Sequence, residues 1–244
     1  MIAGWEIQVC RMIIAQGTFS VVDVMSAARA MAAGETATHD GVIKQHLDGW
    51  GCLWITHGKV RTLHGEGSFI EALSTMDVSS IKTRFLAVHV RHATLRENSG
   101  IKYSHPLKFD NGLGCWYLMH NGYLPTVYLH LGLKKSSFDS AEYLEYIVGS
   151  VQSLDISEVY LTAKLSGLLP GGSSGNCFLI AGNKAWAWQW FSKDIVCADY
   201  FTMRHFKAAE VEYISSEIIP FLGDEPKWRS MRNGELYQFN LIGG

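Results

Sequence analysis

Hydrophobic and polar positions along the chain follow two different periods, and the switches between them lay out the elements. Residues 10–16, Cys-Arg-Met-Ile-Ile-Ala-Gln, form a short apolar run that predicts an opening strand. Ser20 with Asp23 makes a capping-box pattern, and Val21, Val24, Met25, Ala28, Met31 and Ala32 recur at helical spacing up to Gly34. The polar stretch 36–45 reads as a loop. Runs 52–56 and 60–63 flank Gly58-Lys59 as a hairpin, and a short helix is expected over about 69–76. Residues 85–91, Phe-Leu-Ala-Val-His-Val-Arg, are apolar almost throughout and end in charge, the pattern of a buried strand.

A polar loop over 94–108 carries His105-Pro106, and the strand predicted at 115–119 stops at His120-Asn121-Gly122, where Asn-Gly is a strong turn signal. Asp139 starts a further helix whose core face is Tyr143, Leu144, Ile147, Val148 and Val151. From Asn176 the pattern is β-rich: 177–181 and 186–190 flank Gly182-Asn183, and 200–206, 211–215 and 236–241 read as further strands. No repeat, low-complexity tract or linker interrupts this order. The expectation is an α+β single domain with helices inserted among many strands and sheet packed on sheet.

Composition narrows the field. At 244 residues and 48% hydrophobic content the chain can bury a sizeable core. Twenty-one basic against 23 acidic residues give no reason to expect nucleic acid or an anionic membrane as a partner. Five scattered cysteines without a CxxC pair argue against a disulfide framework or a zinc ribbon and suit a reducing, cytoplasmic setting. No apolar run reaches the roughly 20 residues that span a bilayer. Nothing in residues 1–9 reads as a folded element, and they lack the basic start of a secretory signal.

Some candidate chemistry dissolves on inspection. Gly171-Gly172-Ser173-Ser174-Gly175 matches the G-x-S-x-G elbow, but a Leu-Pro loop precedes it and a strand-like run follows, whereas the elbow needs a strand before and a helix after. Ser79-Ser80-Ile81-Lys82 matches S-x-x-K, a pattern too short to carry weight alone. His89, His92, His105 and His120 lack the one-face helical spacing of a zinc motif, so no metal and no cofactor is expected.

Four features sit at strand ends or a helix start, where a buried scaffold meets an open pocket. Arg91 ends an apolar strand, where a guanidinium needs an anionic partner, either a ligand or a structural carboxylate. Asn121-Gly122 can offer a side-chain amide and a backbone N–H to one oxygen, or be an ordinary turn. Asp139 can bind a cation or cap its helix. Cys10 alone would be a small buried hydrophobe.

Their order and company point further. Cys10-Arg11, His46-x-Asp48-Gly49-Trp50-Gly51, His89-Val90-Arg91-His92-Ala93-Thr94, Ser104-His105-Pro106, His120-Asn121-Gly122 and Asp139-Ser140-x-Glu142 form a series that resembles the class II glutamine amidotransferases, N-terminal-nucleophile hydrolases with a glutaminase domain. Ser215-Ser216-Glu217, Trp228 and Gly234-Glu235 resemble late motifs of the same domain, so the resemblance covers nearly the whole chain. The His-x-Asp-Gly-Trp-Gly run is most similar to small stand-alone members, including those that cleave γ-glutamyl bonds.

The resemblance implies a four-layer αββα sandwich. It implies Cys10 as nucleophile with its own freed α-amine as base, and Asn121 and Gly122 as the oxyanion holders. Arg91 would take the α-carboxylate of glutamine and Asp139 its α-ammonium, with Thr94 and His105 near the pocket. Relatives place the cysteine directly after the initiator, whereas Met1 to Val9 precede it here. Residues 1–9 are therefore expected to be a propeptide and 10–244 the glutaminase domain, inactive until the Val9–Cys10 bond is cut. The expected substrate is L-glutamine or a γ-glutamyl small molecule, with either a separate synthase subunit receiving ammonia or none. A catalytically silent, glutamine-binding subunit is the alternative, since it would keep Arg91 and Asp139 without freeing Cys10.

Overall fold

The computed structural model describes residues 10–93, 100–168 and 172–241. Two antiparallel sheets form its centre. The first runs β11(Arg229–Ser230), β9(Arg204–Lys207), β10(Val211–Ser215), β1(Arg11–Gly17), β4(Phe85–Val90), β2(Trp50–Thr56), β3(Lys59–Gly65) from edge to edge. The second runs β12(Glu235–Asn240), β8(Lys184–Gln189), β7(Asn176–Ala181), β6(Cys115–Asn121), β5(Leu107–Asp110).

Period-two alternation decides what each strand buries. On the first sheet Ile13, Ala15, Cys52, Leu86, Val88 and Val90 turn one way, onto α1(Val21–Ala33) and α2(Phe69–Thr75). Their alternates Met12, Ile14, Leu53, Phe85, Ala87 and Ile214 meet Met119, Phe178, Ile180, Ala185, Ala187 and Phe239 of the second sheet. The outer face of that second sheet, with Trp116, Leu118, Cys177, Leu179, Trp186 and Trp188, packs on α4(Asp139–Val148) and α5(Glu158–Ser166). Each sheet is thus apolar on both faces, which is why its central strands read as near-continuous hydrophobic runs.

The N-terminus of α1 forms as its sequence predicts, with Ser20 Oγ accepting from the Asp23 N–H, and Gly34 closes it at φ +77°. Two expectations fail locally. The strand expected over 200–206 divides into α6(Ala198–Phe201) and β9, because Tyr200 and Phe201 bury together in a side cluster with Ile43 and Phe191 while Thr202 Oγ1 bonds back to Ala198 O. The loop expected over 94–108 gives way at Leu107 to edge strand β5, which pairs with β6. A further short helix, α3(Val127–His130), follows β6. Helix α5 has no clear sequence signal: only Leu161 and Leu165 are buried, a stripe too narrow to show a period.

Candidate active site

Register and alternation bring the first three candidate residues together. Arg11 lies opposite Val90 and Met12 opposite His89, so one step back sets Cys10 beside Arg91 at the mouth between the sheets. Cys10, Arg91 and Asn121 each fall on the parity of Met12, Ala87 and Met119, the residues that face the opposing sheet. Across that mouth the backbone nitrogen of Cys10 donates to Asn121 Oδ1 at 2.9 Å. The next residue, Gly122, has φ +156°, and a Cβ there would lie 1.9 Å from the carbonyl oxygen of Ser174. Only glycine fits the place where β6 passes the 172–175 segment.

Burial pushes the Cys10 thiol up to about 11, against the lowering influence of Arg91, of a hydrogen bond from the backbone of His92, and of Arg11. Asp139 adds to the rise. Sulfur, guanidinium and carboxylate therefore share one electrostatic neighbourhood. The strand end that carries Arg91 is fastened on both sides: Arg91 N donates to Gly49 O at 2.8 Å and Asp48 N to Arg91 O at 2.9 Å. Asp48 Oδ2 also takes Ala93 N at 2.8 Å and lies 3.2 Å from His92 Nδ1. The His-x-Asp-Gly-Trp-Gly run is thus a clamp on the Arg91 loop, and its last glycine, Gly51, would drive a Cβ to 1.9 Å from His105 O.

Asp139 is not an N-cap. Phe138 holds that position, while Glu142 reaches back to Ser137 N at 2.6 Å and Phe138 N at 3.3 Å. With the helix start secured by Glu142, the buried Asp139 carboxylate turns to Leu124 N at 2.9 Å, beside the Asn121-Gly122 corner. His105 is buried behind this group, its ring centroid 4.4 Å from that of His89, and neither ring nitrogen has a hydrogen-bond partner among the described residues. Burial holds His89 down at about 3 and His105 well below an ordinary imidazole, each helped by the nearby Arg91 charge. His120 is also lowered by burial, with Ser140 Oγ 2.9 Å from Nδ1 and Ser174 O 3.1 Å from Nε2.

Thr94 lies outside the described residues, as does Gly171. Ser173, the serine of the G-x-S-x-G pattern, accepts from Tyr123 N at 3.1 Å, and strand β7 begins at Asn176 where the elbow needs a helix. Lys82 bonds the carbonyl of Ser79, an exposed turn. Among the described residues no three His, Cys, Asp or Glu side chains are grouped to hold a metal ion.

A second buried group escaped the sequence reading. Arg11, fully buried, faces the opposite side of β1 from Cys10, with its Nε 2.6 Å from Glu217 Oε1 and its guanidinium carbon 3.9 Å above the Tyr200 ring. Its second arm, Nη1, donates to the carbonyl of Cys10 at 3.1 Å. His39 and Thr36 complete the ring around Glu217. An arginine inside an otherwise apolar strand is the signal that marks this group.

A scan of protein-family models and a search of curated proteins give no match. Solved structures do. The glutamine phosphoribosylpyrophosphate amidotransferase from B. subtilis, complexed with ADP and GMP, superposes over 95% of this chain with a TM-score of 0.67 and 16% identity. This chain spans 47% of that chain's length. A glutamine aminotransferase class-II domain protein from Silicibacter pomeroyi matches at TM-score 0.55 and 13% identity over 96% of both chains. A predicted glutamine amidotransferase from Pseudomonas aeruginosa matches at 0.50 and 14%, over 96% of this chain and 93% of that one. The likeness is one of fold, shared along nearly the whole chain.

Proposed function

We propose that this chain hydrolyses the γ-amide of L-glutamine, or of a γ-glutamyl conjugate, through a thioester on Cys10. The observation that carries the reading is the Cys10 nitrogen held 2.9 Å from Asn121 Oδ1 while Arg91 flanks the same residue in register. The shared fold with glutamine amidotransferases supports it, as do the three apolar clusters, which we read as a four-layer αββα sandwich of the N-terminal-nucleophile type.

The reaction follows from the residues. Residues 1–9 are a propeptide, and cutting the Val9–Cys10 bond turns an amide nitrogen into an α-amine with a pKa near 8. That amine takes the thiol proton, and the thiolate attacks the γ-carbonyl carbon. The tetrahedral oxyanion is held by the Asn121 side-chain amide and the Gly122 N–H. The amine returns its proton to the departing nitrogen, the C–N bond breaks, and ammonia or an amine leaves. Water, deprotonated by the same amine, then cleaves the thioester to give glutamate and the free thiol. Arg91 matches the α-carboxylate as a bidentate fork, Asp139 complements the α-ammonium, and Thr94 and His105 line the pocket.

Released ammonia passes to water or to a separate synthase subunit. Five free thiols suit a cytoplasmic setting, and among the described residues no helix is long and apolar enough to cross a membrane.

The second reading is a glutamine-binding subunit that keeps Arg91 and Asp139 and never frees Cys10. One experiment separates them. The native protein's N-terminus is read by mass spectrometry, and glutamate release from glutamine is compared with that of Cys10→Ala. A chain starting at Cys10 that releases glutamate, with the variant silent, is expected. Full turnover by a chain still starting at Met1, or by Cys10→Ala, overturns the proposal.

A further inference from the structure

We infer that the buried Arg11–Glu217 pair is a positioning device for the nucleophile, fixing the Cys10 main chain from behind so that only the sulfur is free to move. The inference rests on the reading of Cys10 as the attacking group and adds to it the residues that hold it in place.

Three observations carry it. First, Cys10 is gripped at both ends of its backbone: Asn121 Oδ1 takes its nitrogen at 2.9 Å from the second sheet, and Arg11 Nη1 donates to its carbonyl at 3.1 Å from the far face of the first. Second, the arginine that makes the rear grip is itself held on two sides, by Glu217 at Nε and by the Tyr200 ring against its guanidinium. The register continues the pairing of Ile13 with Ser215, which brings Glu217 opposite Arg11 at the end of β10, where Met12 N also bonds Ser216 Oγ at 3.0 Å. Third, the arrangement is expensive for a purely structural role. A fully buried ion pair costs desolvation that its own attraction rarely repays, and apolar replacement of both partners is often neutral or stabilising. Stability therefore does not explain why this site carries charge, whereas the fork geometry does. Arginine alone can hold a carboxylate with one nitrogen and a carbonyl with another in a single rigid plane.

The loop at 36–44 is part of the same brace. Thr36 and His39 reach Glu217, His39 Nδ1 accepts from Gly41 N at 3.1 Å, and a Cβ on Gly41 would lie 2.2 Å from the Tyr200 ring. No substrate atom is needed on this side of β1, so Arg11 and Glu217 act through Cys10 and not on the ligand.

The test separates position from stability by removing the charges together. In the full-length protein after maturation, Arg11→Met combined with Glu217→Leu is expected to melt no lower than the parent. It should nevertheless lose about a hundredfold in kcat, the scale of a nucleophile displaced by an ångström. KM for glutamine stays unchanged, because Arg91 and Asp139 are untouched. Arg11→Lys keeps the charge but loses the second arm, and is expected to show the same split; it carries the test if the double variant fails to fold. Wild-type kcat in either folded variant overturns the inference, as does a loss that follows KM alone. If the parent itself releases no glutamate, the proposed function falls instead. The positioning claim is then judged on the rate at which iodoacetamide labels Cys10, slowed in the variants if it holds and unchanged if it fails.

Discussion

The backbone nitrogen of Cys10 and the side-chain oxygen of Asn121, 111 residues apart in the chain, meet at 2.9 Å across the gap between the two sheets. With Oδ1 committed to the Cys10 nitrogen, the proposed mechanism assigns the oxyanion to the Nδ2 of the same side chain. On the proposed mechanism Asn121→Ala removes both the anchor and an oxyanion donor, and kcat should fall by about 10²–10³. Asn121→Asp keeps an acceptor for the Cys10 nitrogen while setting a negative charge against the developing oxyanion. Steady-state kinetics on the two variants should show both losing kcat, with the N-terminus correctly cut in the aspartate variant. An aspartate variant with full activity would remove Asn121 from the oxyanion site.

Gly122 offers a test of geometry without chemistry. At φ +156° with Ser174 O only 1.9 Å from a built Cβ, Gly122→Ala forces either β6 or the 172–175 segment to move. Gly58 is the control: its φ is +68°, yet nothing lies within 4 Å of a Cβ there. Gly58→Ala should cost only the backbone strain of a left-handed alanine, about 1–2 kcal/mol, with activity retained. Gly122→Ala should cost more in a denaturant melt and abolish turnover in whatever folded protein remains. Equal effects from the two substitutions would mean that the corner tolerates a side chain.

Much of this was legible in the sequence because the strands that carry the site are buried on both faces. Residues 85–91 and 115–119 announce themselves as apolar runs, and each ends in the polar residue that faces the pocket, Arg91 or the Asn121-Gly122 corner. Asp139 was legible as a helix start, but that its carboxylate is spared from capping depends on Glu142 taking over the backbone donors of the first turn. Arg11 and Glu217 were visible only as motif letters: their pairing depends on the β1–β10 register, joining residues 206 apart that no local pattern relates. Helix α6 was misread for a similar reason, Tyr200 and Phe201 having strand propensity that packing against Ile43 and Phe191 overrides.

Cutting the Val9–Cys10 bond should be readable in the chemistry of the sulfur. In the uncut chain burial holds the thiol at about 11, so its thiolate fraction, and with it the rate of alkylation, climbs with pH through 8 to 10 without reaching a plateau. After cleavage the α-amine stands beside the sulfur and can accept its proton, and the alkylation profile should shift to lower pH. Iodoacetamide labelling followed by peptide mass spectrometry checks this on one preparation, before and after maturation. Identical profiles would mean that the freed amine does not reach the thiol.

The buried histidines set the acid limit of the fold. His89, His105 and His120 all bind a proton less readily than an unfolded imidazole, chiefly because burial opposes the charged form. An unfolded histidine titrates near 6.5, so between that pH and the folded values the unfolded chain holds more protons than the native one. Their contribution is therefore complete above pH 6.5 and is lost as the pH falls towards the folded values, about 3 in the case of His89. The slope is about 1.4 kcal/mol per pH unit for each histidine involved. Glu217 and Glu212 join only later: hydrogen bonds from His39 to Glu217 and from His205 to Glu212 outweigh burial and hold both near 2, so their share is lost below pH 4.5. Urea unfolding followed by tryptophan fluorescence should show stability falling between pH 6.5 and 4.5 before the carboxylates contribute. His105→Leu should flatten that limb, removing one group that must be kept neutral. A stability that is level from pH 7 to 4.5 in the parent would show that the three imidazoles are protonated as readily inside the fold as outside it.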